Sequence, residues 1–169
     1  MSQRSIDGLA IVPGPNLSYL TGSEFHLSER PVVLFVRQND AVFVLPELEC
    51  PKITDLDIDF ISYDDRDGPG PAFAQFSKGN KFSGLGVESR LIRHLELNLI
   101  SSYNISSDII DATDLFAELR MSKSKIEIDH MTEAVETAER SLVSVLDKMR
   151  PGVTEKQFAA ELVIQLLHN

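Results

Sequence analysis

From its amino end the chain alternates short apolar runs with polar turns. Residues 8–12 are apolar and closed by Pro13, which predicts a buried strand. Pro13-Gly14-Pro15-Asn16 has turn chemistry: two fixed φ angles, a permissive glycine and an asparagine suited to cap the next segment. Residues 17–20 predict one helical turn, and 21–29 a polar loop. Residues 32–36 and 41–45 are all-apolar and rich in β-branched side chains. The polar Arg37-Gln38-Asn39-Asp40 between them predicts a hairpin of two central strands. Pro46 suits the first position of a helix, with Glu47 and Glu49 at its positive end.

Residues 55–63 alternate, with Leu56, Ile58 and Phe60 set against Asp55, Asp57 and Asp59. That pattern predicts a half-buried strand near an edge, its apolar trio inward and its carboxylates outward. A Gly/Pro/Asp loop follows, then a short helix over 72–77 packed through Phe73 and Phe76. The rest reads as a strand over 84–87, a helix over 89–100 with Leu91, Ile92, Leu95 and Leu99 inward, a strand over 103–105 and a helix over 111–119. Alternating strands and helices predict an α/β fold, with a mixed sheet because the hairpin is antiparallel.

The pattern changes after Leu119. Ser124 and Glu127 form a capping-box sequence, and Met131, Ala134, Val135, Ala138, Leu142, Val145, Leu146 and Met149 recur at helical spacing behind it. Pro151 disfavours helical geometry at Arg150, so a helix ending there is expected. Thr154 and Gln157 repeat the box, and Phe158, Ala159, Leu162, Val163, Leu166 and Leu167 make a second stripe. Two domains are therefore expected, 1–119 and 120–169.

Charge and composition narrow the function. The formal net charge is −10 and the sequence pI about 4.8, which argues against a nucleic-acid partner. A single cysteine, Cys50, rules out an internal disulfide. No apolar run is long enough to span a bilayer, and no signal peptide is apparent. A cytoplasmic protein is expected.

Several motifs fail on inspection. Asp55, Asp57 and Asp59 resemble the start of a calcium loop, but Phe60 replaces its glycine and Arg66 its closing glutamate. Gly84-Leu85-Gly86 is a partial dinucleotide fingerprint whose third glycine is Ser89. His130 lacks a second histidine one turn away, and Ser23 lies in no nucleophile elbow. One constellation is kept: Tyr19, His26, Glu29 and Arg30 are a possible substrate-access or subunit-contact loop. It offers a phenol, a titratable imidazole and a guanidinium able to grip a carboxylate. The competing reading, Arg30 paired with Glu29 or another surface acid and His26 in solvent, carries more weight.

Arg120, Lys123-Ser124-Lys125, Glu127-Ile128, Ala134, Ala138 and Pro151-Gly152-Val153-Thr154-Glu155 resemble the join between two domains of the pita-bread metallopeptidases. These are the Xaa-Pro aminopeptidases, prolidases and creatinases. Pro13-Gly14-Pro15-Asn16, Tyr19-Leu20-Thr21-Gly22, Glu29-Arg30-Pro31, residues 44–49 and Leu85-Gly86-Val87-Glu88 resemble the family's N-terminal domain in order and spacing. The resemblance implies a creatinase-N-terminal-like α/β domain, a mixed sheet flanked by helices, followed by the first two helices of a pita-bread catalytic domain.

The resemblance also implies proline-directed peptide hydrolysis in a complete member, by two divalent metal ions and a bridging water. Those ligands would follow Asn169, and relatives usually begin with a helix before the first strand. Both ends thus look cut back relative to the family. No catalytic residue, metal ligand or cofactor is expected in this chain. Oligomerisation and active-site access are its implied roles, with self-association or a missing catalytic domain as partner and proline-containing peptides as substrate in the complete protein. A stand-alone non-catalytic dimerisation module and the N-terminal part of a creatinase-like amidinohydrolase are the alternatives.

Overall fold

The structure, a computed structural model, describes residues 5–169. It divides into two compact units, one running to Leu119 and a second, Arg120–Asn169. The first is built on strands β1 (Gly8–Ile11), β2 (Val33–Val36), β3 (Ala41–Pro46), β4 (Asp59–Tyr63), β5 (Leu85–Val87) and β6 (Ile109–Asp111). They form one sheet in the order β4-β3-β2-β1-β5-β6. β2 pairs antiparallel with β1 and β3, while the other neighbours pair parallel. Only β2 therefore runs against the rest. The carboxyl ends of five strands and the start of β2 share one edge of the sheet.

Strand alternation sorts the core onto two faces. Ala10, Val12, Val33, Phe35, Val44, Tyr63 and Leu85 pack with Phe73 and Phe76 of α2 (Gly70–Ser77) and Ile100 of α3 (His94–Ser102). Phe35 stacks on Phe76 with ring centroids 4.1 Å apart. Leu9, Ile11, Leu34, Phe43 and Leu45 meet Leu17 of α1 (Pro15–Thr21), Ile53 and Phe116 of α4 (Thr113–Met121). The result is the expected mixed α/β sandwich, helices on both faces of one sheet.

Several elements depart from expectation. α1 starts at Pro15 with Gly14 as its N-cap, because proline at the first helical position is pre-set for the turn. Pro46 ends β3 and caps a 3-10 segment, Glu47–Lys52, which contains Pro51. β4 is only the second half of the predicted strand. Ile61 and Tyr63 are its inward residues, while Phe60 is 48% exposed although its register partner Phe43 is buried. β4 is the edge strand, and Phe60 lies outside the cover that buries Phe43. Leu56 and Ile58 reach the core from the turn before it.

α3 begins at His94 rather than Ser89, and it buries Glu96 and Ile100 while Leu95 is exposed. Residues 103–105 form a turn, with Asn104 at φ 49, and not a strand. The last strand is β6 instead, three residues too short to show alternation.

In the second unit, α5 (Lys125–Val145) and α6 (Glu155–His168) both start at the expected capping boxes. Ser124 N–H donates to Glu127 at 2.7 Å, and Thr154 N–H to Gln157 at 2.9 Å. α5 stops at Val145 and a 3-10 turn, Leu146–Lys148, follows, so the helix ends before the predicted Arg150. The two helices form a hairpin. Ser141 and Val145 are buried, Lys148 pairs with Glu161, and Asn169 Nδ2 donates to Ser141 Oγ at 3.1 Å. Of the first stripe only Val145 is buried; Met131, Val135, Leu142, Leu146 and Met149 stay exposed. No helix among the described residues is long and apolar enough to cross a membrane.

Candidate functional site

Polar side chains gather at the carboxyl edge of the sheet, where open α/β folds place their binding crevices. The segment between α1 and β2 runs there. It leaves α1 at Gly22, whose φ of 70 would strain any residue with a Cβ and whose N–H donates to Ser18 O at 2.8 Å. Phe25 is buried against Phe43, their ring centroids 5.8 Å apart, with Lys52 Nζ over its ring. Ser23 Oγ donates to the Lys52 carbonyl at 2.8 Å.

The far limb of the segment is held three times. Arg30 forks onto Asp65, with Nε to Oδ1 at 2.7 Å and Nη2 to Oδ2 at 2.8 Å, while its Nη1 meets Glu29 at 2.6 Å. The hydrogen bond from Arg30 holds Asp65 below the usual carboxylate range, and Asp65 in turn raises the Arg30 pKa. Tyr63 at the end of β4 donates its hydroxyl to Pro31 O at 2.8 Å, and burial pushes its phenol up.

The third hold is Arg93 Nη1, 2.5 Å from Ser28 O. Arg93 is the N-cap of α3. The Glu96 carboxylate takes its backbone N–H at 3.0 Å, its Nε and its Nη2. Glu96 is fully buried, and its hydrogen bond raises the Arg93 pKa. Asn16 Nδ2 donates to buried Glu88 at 2.5 Å, joining the first turn of α1 to the end of β5. At β6, Asp111 accepts from Thr113 Oγ1 at 2.6 Å and Thr113 N–H at 3.0 Å. These bonds, with those from the Ser89 side chain and backbone, bring its pKa down to about 2.

The four residues singled out in the sequence are thus only partly brought together. Arg30 joins Glu29, Tyr19 is exposed on α1, and His26 is exposed between the anchored Phe25 and Ser28. Pattern reading missed Tyr63, Asp65, Arg93 and Glu96. Arg93 and Glu96 have the capping-box spacing, but an arginine stands where that signature has serine or threonine. Beside Asp65 lies a cleft of about 210 Å³ lined by Pro46, Glu47, Leu48, Tyr63 and Asp64.

Chemically this arrangement holds a loop. The guanidiniums of Arg30 and Arg93 are engaged by carboxylates and a carbonyl, and the Glu29 side chain is 77% exposed. Among the described residues, no three His, Cys, Asp or Glu are placed to hold a metal ion.

Residues 1–122 match the sequence profile of the Creatinase/Prolidase N-terminal domain. An uncharacterised hydrolase/peptidase, y4tL, of Sinorhizobium fredii is 27% identical over 98% of this chain and 46% of its own length. The Xaa-Pro dipeptidase of Pyrococcus horikoshii is 23% identical over 96% of this chain and 44% of its own. The crystal structure of dipeptidase PepE from Mycobacterium ulcerans superposes with a TM-score of 0.80 at 27% identity, covering 99% of this chain and 46% of that one. This chain spans less than half the length of each of these three relatives.

Proposed function

The chain belongs to the Creatinase/Prolidase N-terminal domain family, and from that premise we propose that it serves as the N-terminal portion of an Xaa-Pro-type metallopeptidase of the cytoplasm. One observation carries the reading. The likeness to the PepE structure continues past the α/β unit through both helices, yet takes in under half of that enzyme. In this reading the chain supports oligomerisation and shapes access to an active site. In the same reading the anchored segment between α1 and β2, with His26, Glu29 and Arg30, is the access or contact loop, and Tyr19, on the preceding helix α1, is assigned to it.

The dipeptidase names of its relatives favour Xaa-Pro dipeptides as substrates over longer peptides. Two divalent metals would supply the nucleophile in the complete enzyme. The described residues present no ligand set for them, and no metal-assisted step is assigned to this chain. The exposed apolar residues of α5 and α6 support a covering partner, either a second copy or the remaining part of an enzyme.

A hybrid tests the reading: residues 1–169 replace the corresponding part of a PepE-type dipeptidase. Hydrolysis of Xaa-Pro dipeptides by the folded hybrid is expected, and none by residues 1–169 alone. A folded hybrid without activity, or turnover by the chain alone, overturns it.

A further inference from the structure

We propose that Arg93 is a positioning residue: oriented by buried Glu96, it fixes the Ser28 carbonyl and so sets where His26 and Leu27 are presented at the carboxyl edge. The proposal rests on the reading of this segment as an access or contact loop, and it adds the side chain that holds the loop in place.

The geometry separates this role from helix capping. Capping α3 requires only that Glu96 accept the Arg93 backbone N–H, which it does at 3.0 Å. The guanidinium is additional. Its Nε and Nη2 both face the Glu96 carboxylate, so the fork's plane is fixed and Nη1 is left to point away. It points at Ser28, 65 positions distant in sequence. Glu96 is 0% exposed and cannot swing to solvent, so the arginine has a rigid base.

The anchors are also distributed tellingly. On the near side Phe25 is buried; on the far side Ser28 is held by Arg93, Arg30 by Asp65 and Pro31 by Tyr63. Between them lie His26 and Leu27, both exposed, Leu27 at 48%. Of the far-side anchors Ser28 is the one that adjoins this tip, so its carbonyl bond controls the tip's direction more than the bonds further along. Arginine is required chemically. A lysine ammonium can satisfy the Glu96 charge, but it has no planar fork to serve the carboxylate and the carbonyl together.

Amide hydrogen exchange on the chain itself is the test. Arg93→Lys keeps Glu96 paired, and the double variant R93Q/E96Q keeps the shape without leaving a buried charge alone. Both are expected to speed exchange about tenfold in peptides covering 22–31 while peptides covering 33–46 stay unchanged. Unchanged exchange in 22–31 in both variants overturns the proposal. So does an equal rise in loop and sheet, which makes Arg93 a general stability residue. In the hybrid dipeptidase, R93K is expected to raise KM several-fold with kcat retained, and a fall in kcat alone also overturns it. An inactive hybrid whose loop still loosens on R93K sinks the peptidase reading and leaves the positioning role standing.

Discussion

The Tyr63 hydroxyl and the Pro31 carbonyl oxygen meet at 2.8 Å inside the protein, 32 positions apart in sequence. The bond spans the end of β3, tying the finish of β4 to the start of β2, two strands that are not neighbours in the sheet. Tyr63→Phe keeps the ring and strands a buried acceptor, which costs about 1–3 kcal/mol. Urea unfolding checks it. Burial holds the folded-state phenol above its ordinary 10.0, so the neutral tyrosine's contribution is full below that value and is lost as pH rises through the higher folded pKa. Y63F is expected to lack this alkaline loss.

Arg93 and Glu96 predict an asymmetry. Arg93→Ala leaves the fully buried Glu96 carboxylate uncompensated and is expected to cost about 3–5 kcal/mol. Glu96→Ala leaves a guanidinium that is 32% exposed and can rehydrate, so it is expected to cost less. Denaturation of the two variants side by side decides it, and equal losses would contradict the burial difference.

Asp111 predicts an acid-side dependence. Its folded pKa, about 2, lies below the ordinary 3.8, chiefly through the Thr113 hydroxyl. The unfolded state therefore binds the proton more readily. The contribution is present above 3.8 and is lost as pH falls toward 2. Asp111→Asn is expected to flatten the stability–pH slope in that window. Some slope should remain, because Asp7, Asp64 and Asp65 are also depressed.

The hairpin of α5 and α6 predicts self-association. Ile126, Met131, Val135, Val143, Met149, Val163 and Leu167 are each more than half exposed. Leaving a large apolar side chain in water forgoes about 1.5–3 kcal/mol relative to burial. Sedimentation is expected to show concentration-dependent association of the full chain and a monomer for a version ending at Leu119. Equal behaviour of the two would remove these helices as the cause.

The elements legible in the sequence were those with a long or chemically marked pattern. The apolar hairpin of β2 and β3 announces itself by composition, and both late helices by Ser124/Glu127 and Thr154/Gln157. β6 was not legible, because three residues with Ile109 at 41% exposure carry no periodicity. Phe60 misled for a related reason: alternation gives a strand two faces but does not say which one a neighbouring helix covers. Of the loop, Arg30 and Glu29 could be read because they are adjacent. Asp65, Tyr63 and Arg93 come to it from 35, 32 and 65 positions away, distances set by topology alone.

The sheet order also has a consequence for the order of folding. β1 pairs on one side with β2, close behind it in the chain, and on the other with β5. The second side is clasped by Asp7, whose carboxylate accepts the N–H of Ser83 at 2.8 Å and of Gly84, 77 positions on, at 3.1 Å. Closing so long a loop is slow compared with the nearer pairing of β1 with β2. During synthesis β1 emerges before β5 and keeps one flank bare until β5 has followed it. The nascent chain therefore passes through a stage with an open edge at what becomes the middle of the sheet, the point at which strand exchange between neighbouring chains competes with folding.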